Sequence, residues 1–597
     1  MEKWYVMTKR ADFDAISRRF NIDPVTARIL RNRDLTSEEE IRKYLYGSAD
    51  DLYDPKLLKD VEKAAVILRD KIREGKKIRI ISDYDVDGIS ANYILSKGLK
   101  RCGARVDHRV PDRMTDGYGV NVNLIDRAYE DHIDAVITCD NGIAAFEAVE
   151  RARSLSMTMI VTDHHEVPFS LNEAGEKEYK IPDAEAVVDP KQADCGYPFP
   201  DICGAVVAWK LICVLYEIMG IPAAEAEDFL EICALATVCD VMPLKDENRI
   251  IVREGLKKMQ DTSITGLKAL IGACGLSGRE ITAYHLGFVI GPSLNASGRL
   301  STAEKAVSLL LTGNAEKAVL LASELRSLNE ERKEMTVEGE KEAVAYLEET
   351  GHVKDKVLVV YLPDCHESIA GIIAGRIKER YHKPVFVITR SEEGLKGSGR
   401  SIEAFSMYDE MSRIGDCFTK FGGHPMAAGL SMETDRLEEF RSRINDNACL
   451  REEDFVEKVS IDVPMPFSYL REDLIAEFSC LEPYGTGNRA PLFAQKDLRL
   501  CGIRTFGRNG RTSGMRLALE DAVGNRIDAV YFGDVDRFFD ELERAFGISR
   551  EEAIRYGIRK NVGLAVAYQP SINDFTGRPV MELRVKYYML TPSPGTK

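Results

Sequence analysis

Nothing in this sequence is long and apolar enough to span a bilayer. Its longest apolar stretch, Cys203 to Met219, is interrupted by Lys210 and Glu217 and falls short of the roughly 20 apolar residues a spanning helix needs. The N-terminal run Met-Glu-Lys-Trp-Tyr-Val lacks an apolar h-region and a small-residue cleavage site, so no signal peptide is expected. The 13 cysteines include no Cys-x-x-Cys pair, which predicts reduced thiols in a cytoplasmic protein rather than a disulfide framework. A basic excess is missing too: 81 Lys and Arg face 97 Asp and Glu, a net charge of −16. That argues against wrapping nucleic acid by bulk charge, but a local basic track stays open. There is no short repeat and no low-complexity tail. What remains is a globular composition, 44% apolar and 30% charged, over 597 residues, or about four domains at roughly 150 residues each.

Residues 1–74 read as helices and turns, with a helical apolar rhythm at Val61, Ala64, Ala65, Leu68 and Ile72. Short β-branched runs then alternate with helical segments: Lys77 to Asp83, Arg105 to Val110, Ala135 to Thr138 and Thr158 to Thr162. That alternation predicts a parallel sheet with crossovers over 75–312. Residues 315–349 carry no proline and many strong helix formers, which predicts one long linking helix within 313–349. A second αβ pattern occupies 350–450, and a mainly β module with one helix at Arg537 to Phe546 fills 451–597.

The chemistry concentrates at strand ends. Asp83, Asp85 and Asp87 stand where the first apolar run becomes a loop, Asp140 ends the next, and Asp163, His164 and His165 end a third. In an open parallel sheet the carboxyl ends of neighbouring strands converge on one crevice. Any one of these aspartates could cap a helix or turn instead. Together, in a chain with nine histidines and one adjacent pair, they point to bound cations, because so many like charges cannot stay ionised alone. Oxygen ligands with imidazole suit Mn²⁺ or Mg²⁺. Asp240, beside the helix-breaking Pro243 turn, adds a fourth element.

These segments, Asp83-Tyr-Asp-Val-Asp-Gly, Asp140-Asn-Gly, Asp163-His-His and Asp240, resemble the four motifs of the DHH phosphoesterase superfamily. Gly397-Ser-Gly-Arg-Ser401 and Gly422-Gly-His-Pro-Met-Ala-Ala-Gly429 are similar to a DHHA1 domain. Gly291-Pro-Ser-Leu-Asn-Ala-Ser-Gly-Arg-Leu300, Leu481-Glu-Pro-Tyr-Gly-Thr-Gly-Asn488 and Asp51-Leu-Tyr-Asp-Pro55 narrow the likeness to the RecJ family of single-strand-specific DNA exonucleases. The chain departs from that pattern at Ser293, where arginine is usual, and at Cys365 to Ile369. The fold so implied is α/β: a parallel-sheet DHH domain joined by a long helix to a smaller α/β DHHA1 domain, followed by a β-rich OB-fold-like domain.

The resemblance implies two-metal phosphodiester hydrolysis on single-stranded DNA, 5′ to 3′, in repair and recombination. A rival within the superfamily is a cyclic-dinucleotide or short-oligonucleotide phosphodiesterase. By analogy Asp140 bridges both cations, Asp83 and Asp85 favour one, and Asp87, His164 and Asp240 the other. His165 then meets the scissile phosphate and Asp163 orients an imidazole. Arg299, in a Gly-rich turn with Asn295, and Arg400 beside Ser398 are candidate phosphate clamps. Arg299 could instead be spent on an ion pair, and Gly422 and Gly423 could equally form a tight turn rather than a phosphate cradle ahead of His424. Arg504, Arg508, Arg511 and Arg516 surround Phe506 with no acid between Gly502 and Leu517. That composition suits a strand-binding groove, or a solvated hairpin. Single-stranded DNA is the expected partner, with a helicase or single-strand-binding protein, no membrane and a monomeric state.

Overall fold

The computed structural model describes residues 2–112, 116, 119–172, 175–508, 511–558, 561–573 and 579–592, with the backbone alone at Arg508, Arg511 and Pro592. Packing divides the chain into two units. One holds 48–457 with 485–487; the other is built from the described parts of 1–47, 458–484 and 488–597.

The first unit is organised by a five-stranded sheet in the order Arg105–Arg109, Lys77–Ser82, Ala135–Cys139, Thr158–Thr162, Ala186–Val188, every pair parallel. Alternate residues feed opposite faces, as the pleat requires. Ile78, Ile80, Ile137 and Ile160 enter one core with Val206, Leu211 and Ile232. Ile81, Val136, Met159 and Val161 enter another with Leu124, Ile125 and Val149. With the central strands covered on both faces, what this part of the sheet offers for chemistry is its strand ends.

A 36-residue helix, Ala315–Thr350, runs about 54 Å at 1.5 Å per residue. Ala318, Ala322 and Leu325 belong to the first core, whereas Ala343 and Leu347 belong to a second with Ile373 and Val387. One element thus shares two cores. That second core lies under a mixed sheet ordered Lys420–His424, Ala427–Met432, Gly394–Arg400, Val385–Ser391, Leu358–Tyr361. Its last two strands are parallel and the others antiparallel.

In the other unit, Phe493–Arg508, Arg511–Glu520, Arg526–Tyr531, Val580–Pro592 and Val562–Asn573 follow one another in hydrogen-bonded order, and the last pairs back to the first. Five strands close into a barrel with one parallel seam, the connectivity of an OB fold.

The structure differs from the sequence-based expectation in four places. Residues 1–74 do not act as one extension. Ile29, Leu30, Ile41 and Tyr44 join the barrel core, whereas Val61, Ala64 and Leu68 join the parallel-sheet core; each apolar face went to a different partner. The glycines of 291–300 do not make a turn but a helix, Gly291–Leu300. A Cβ at Gly291 would lie 2.2 Å from Cys239 Sγ, and one at Gly298 2.7 Å from the Tyr84 carbonyl, so these glycines serve close packing. Gly422 and Gly423 lie in the strand Lys420–His424. A helix at Arg550–Tyr556 was not expected, although Ser549 and Glu552 form its capping box. Among the described residues no helix is long and apolar enough to cross a membrane.

Candidate metal centre

Two strand ends bring their acids together, and a third adds the imidazoles of His164 and His165. Beyond Ser82, Asp83 is 4% exposed. Asp85 caps the helix Val86–Arg101 by accepting from the Gly88 amide, and Asp87 lies in its first turn. Asp140 follows the strand Ala135–Cys139 with φ of 60°, a conformation aspartate tolerates better than most residues. Asp240 ends the buried helix Leu230–Cys239. Ligand atoms of Asp83, Asp85 and Asp140 lie within 4.8 Å of one another, as do those of Asp87, His164 and Asp240. A third such group joins Asp140, His164 and His165.

His164 sits at the junction. Its Nε2 is 3.1 Å from Asp140 Oδ1, 3.5 Å from Asp87 Oδ2 and 3.7 Å from Asp240 Oδ2. Burial holds this imidazole below its ordinary pKa, which favours the neutral form that can ligate a cation. Its Nδ1 is buried with no hydrogen-bond partner among the described residues, as is Asp240 Oδ2.

The carboxylates repel one another. Burial, then the charges of Asp87, Asp85, Asp83 and Asp240, pushes Asp140 well above the usual carboxylate range. Burial and then Asp87 raise Asp85. Asp240 is pushed up to about 8 by burial, then by Asp87 and Asp85. Such a cluster is costly as it stands and becomes favourable once positive charge enters. The donor set, five carboxylates with imidazole, fits hard divalent cations.

Asp87 is stabilised from behind. The Gly204 and Ala205 amides, opening the helix Gly204–Met219, donate to its two oxygens at 2.6 and 2.8 Å. A Cβ at Gly204 would lie 2.7 Å from Asp140 Cβ, so glycine permits this approach. Asp163 faces the other way. It accepts from the His164, His165 and Ile143 amides and from His165 Nδ1 at 2.7 Å. Burial would raise its pKa, but the His165 bond and the imidazoles bring it below the ordinary value. Burial opposes the charge on His165 as well; the Asp163 bond outweighs it and lifts His165 to about 9.

The other sequence candidates divide. Asn295 Oδ1 accepts from the Val86 amide, between Asp85 and Asp87. Arg299 Nη1 donates to the Ser368 carbonyl at 2.7 Å, tying the parallel-sheet domain to the second sheet's domain. Arg400 and Ser398 lie on Gly394–Arg400, and burial lowers the Arg400 pKa. His424 acts electrostatically on Glu166, the residue after His165. Arg504 and Phe506 belong to the barrel unit. Arg504 stands directly opposite Arg516, and Phe506 meets Phe532 edge-on at 5.7 Å. The side chains of Arg508 and Arg511 lie outside the described residues.

Two residues near the site escaped the sequence reading. Asp189 follows the strand Ala186–Val188, and burial, then Asp163, pushes it up to about 7. Lys191 donates to Glu166 at 2.8 Å, and its charge acts on His164 and Asp240. The strand-end rule that selected Asp140 also applies to Asp189; Lys191 left no such signal.

Comparison with known proteins places these modules. Residues 77–237 match the DHH family N-terminal domain, 354–448 the DHHA1 domain and 461–587 the RecJ OB domain. The chain is 32% identical over 592 residues to the single-stranded-DNA-specific exonuclease RecJ of Bacillus subtilis (strain 168), covering 98% of this chain and 70% of that protein. It is 35% identical over 444 residues to the protein of the same description from Escherichia coli (strain K12), covering 71% and 74%. The crystal structure of RecJ from Thermus thermophilus in complex with Mn²⁺ superposes with a TM-score of 0.80 at 26% identity, covering 99% of this chain and 80% of that one. Likeness of this extent, through all three modules and nearly the whole length, makes the chain a member of the RecJ family.

Proposed function

We propose that this chain is a metal-dependent exonuclease that hydrolyses phosphodiester bonds of single-stranded DNA from the 5′ end, in repair and recombination. The observation that carries the reading is a pair of adjoining ligand groups, Asp83, Asp85 and Asp140 in one and Asp87, Asp240 and His164 in the other, with His164 also 3.1 Å from Asp140, in a member of a family whose named relatives are single-stranded-DNA-specific exonucleases. Asp83, Asp85 and Asp140 would hold one Mn²⁺ or Mg²⁺, and Asp87, His164, Asp240 and Asp140 the other. Two such cations, when bound, supply Lewis-acid polarisation of the phosphate and an activated water.

The chain's own groups supply the rest. Asp163 fixes the His165 ring through Nδ1, and with its pKa raised to about 9 His165 is protonated at neutral pH. Its imidazolium can then balance charge developing on the phosphate. Arg299 and Arg400 serve as phosphate grips, with Ser398, Asn295, Gly422, Gly423 and His424 positioning the strand. Arg504, Phe506, Arg508 and Arg511 guide it along the barrel. The protein acts as a monomer in the cytoplasm, alongside a helicase or a single-strand-binding protein.

The test is direct. Purified protein with Mn²⁺ is given 5′- and 3′-labelled single strands, a blunt duplex and a dinucleotide. Single strands should shorten stepwise from the 5′ end and the duplex should lag far behind, since opening it costs about 1.4 kcal/mol per base step. Equal rates on duplex and single strand, or a preference for the dinucleotide, would overturn the reading.

A further inference from the structure

Four residues after His165 the chain leaves the sheet and makes a small hairpin, Phe169–Leu171 against Lys177–Tyr179, which stands as a two-stranded sheet of its own. Phe169 pairs with Tyr179, Ser170 with Glu178, and Leu171 with Lys177. Side chains alternate between faces, so one face carries Phe169, Leu171, Lys177 and Tyr179 and the opposite one Ser170 and Glu178. The first face is apolar yet open: Phe169 is 47%, Leu171 64% and Tyr179 48% exposed. The two rings meet edge-on at 6.0 Å, and Lys177 Nζ lies 4.2 Å from the centre of the Phe169 ring. That contact keeps the cation on the aromatic face and away from the acid behind it.

Chain length alone holds this face beside the candidate metal centre. Four residues reach at most about 14 Å, so the Phe169 Cα lies within that distance of the His165 Cα. The electrostatics agree: Glu166 is held below its ordinary pKa first by its bond from Lys191, and also by the charges of His424 and Lys177. An isolated two-stranded hairpin is marginal in water, so these exposed rings add little to folding. Exposed aromatics interleaved with a cation, next to a site for a phosphodiester, match the chemistry of a single strand, which offers base faces and phosphates together.

We propose that the hairpin face of Phe169, Lys177 and Tyr179 is a stacking arm for nucleobases flanking the scissile bond, with Lys177 on a neighbouring phosphate. The proposal rests on the single-strand reading above and deepens it by naming an element that grips the strand. It predicts that affinity for the strand depends on bases near the degraded end, not on phosphates alone.

The test compares the full-length chain with its Phe169→Ala/Tyr179→Ala variant on three substrates with Mn²⁺. These are a long oligonucleotide, the same strand with abasic sugars near the degraded end, and bis(p-nitrophenyl) phosphate. The variant should raise KM for the intact strand about tenfold to a hundredfold, with kcat unchanged. Both proteins should be equally weak on the abasic strand and equally active on the small diester. Phe169→Trp and Tyr179→Trp should preserve KM. An unchanged KM overturns the proposal and leaves the face to another partner. A loss as large on the abasic strand, or on the small diester, also overturns it, the latter making the hairpin a prop for His165. If the double variant does not fold, Lys177→Glu decides: it should raise KM for the intact strand and flatten its salt dependence, and no change overturns the proposal. A wild-type protein that cleaves the small diester but no strand refutes the exonuclease reading instead. Fluorescence anisotropy of the labelled strand in EDTA then still reads the hairpin by itself.

Discussion

Asp140→Asn should abolish turnover while leaving the metal-free protein at least as stable as the wild type. Asparagine keeps the shape and tolerates the left-handed backbone at this position, so the perturbation is the loss of one charge. In the wild type the oxygens of Asp83, Asp85 and Asp140 lie within 4.8 Å. Two unit charges at that distance repel by about 3.5 kcal/mol at an effective dielectric near 20. Partial protonation, and the His164 ring 3.1 Å from Asp140, absorb much of this. A net gain of about 1–3 kcal/mol in the metal-free state is the expectation. The sign follows from linkage: a carboxyl raised above its ordinary value of 3.8 by burial and neighbouring acids destabilises the fold above that pH and ceases to do so below it. The advantage of the variant in EDTA should therefore shrink as the pH falls toward 3.8. Excess Mn²⁺ reverses the order. A ligand at a hundred times its Kd adds about 2.7 kcal/mol per site, which the wild type gains and the variant largely forfeits. Thermal unfolding in EDTA and in Mn²⁺, with single-strand turnover on the same samples, reads all of this. A variant with the wild-type Mn²⁺ shift, or one less stable than wild type in EDTA, would refute the shared-ligand argument.

Two further predictions concern the grip on the strand. The glycines of Lys420–His424 should respond differently: a Cβ at Gly422 meets nothing within 4 Å, whereas one at Gly423 lies 2.4 Å from the Ala427 carbonyl at φ of 149°. Gly423→Ala should thus cost about 1–3 kcal/mol in thermal unfolding. Gly422→Ala should leave unfolding unchanged and, if its amide faces phosphate, raise KM alone. In the barrel, replacing Arg504, Arg508 and Arg511 by alanine should lower the slope of log K against log salt by about 2 on long strands, at roughly 0.7 per phosphate contact. Very short oligonucleotides should be cleaved as before; equal losses on both would place these arginines elsewhere.

What could be read from the sequence follows the physics of each signal. The parallel strands were legible because residues buried on both faces leave continuous apolar runs, and Thr158–Thr162 came out with the expected limits. The long helix was legible from composition, and Ala315–Thr350 overlaps its predicted span closely. Partner choice was not legible. Residues 1–47 and 48–74 read alike as helix and turn, yet they pack in different units, because periodicity shows that a face is apolar and not what it will meet. Glycine misled for a related reason: at Gly291 and Gly298 it answers to a neighbouring atom from a distant segment, which no local rule anticipates.

The site shows the same division between what a strand end announces and what tertiary packing adds. Asp83, Asp85, Asp87, Asp140 and the Asp163-His164-His165 run could be found because a parallel sheet aims its carboxyl ends at one crevice, and the structure brings the ligand atoms of all but Asp163 into adjoining groups. The groups that set their charge came from elsewhere. The amides of Gly204 and Ala205 hold Asp87 from a helix whose sequence reads as plain buried apolar. Lys191 bonds Glu166 across a gap of 25 residues. The Asp163–His165 contact shows how one acid leaves the ligand cluster: it is fully occupied by three amides and an imidazole, so its charge is already spent on orienting a ring. Asp140, raised by four neighbouring acids, has no comparable set of donors. Two strand-end aspartates that look equivalent in sequence thus take opposite roles, according to whether their environment supplies donors or more negative charge.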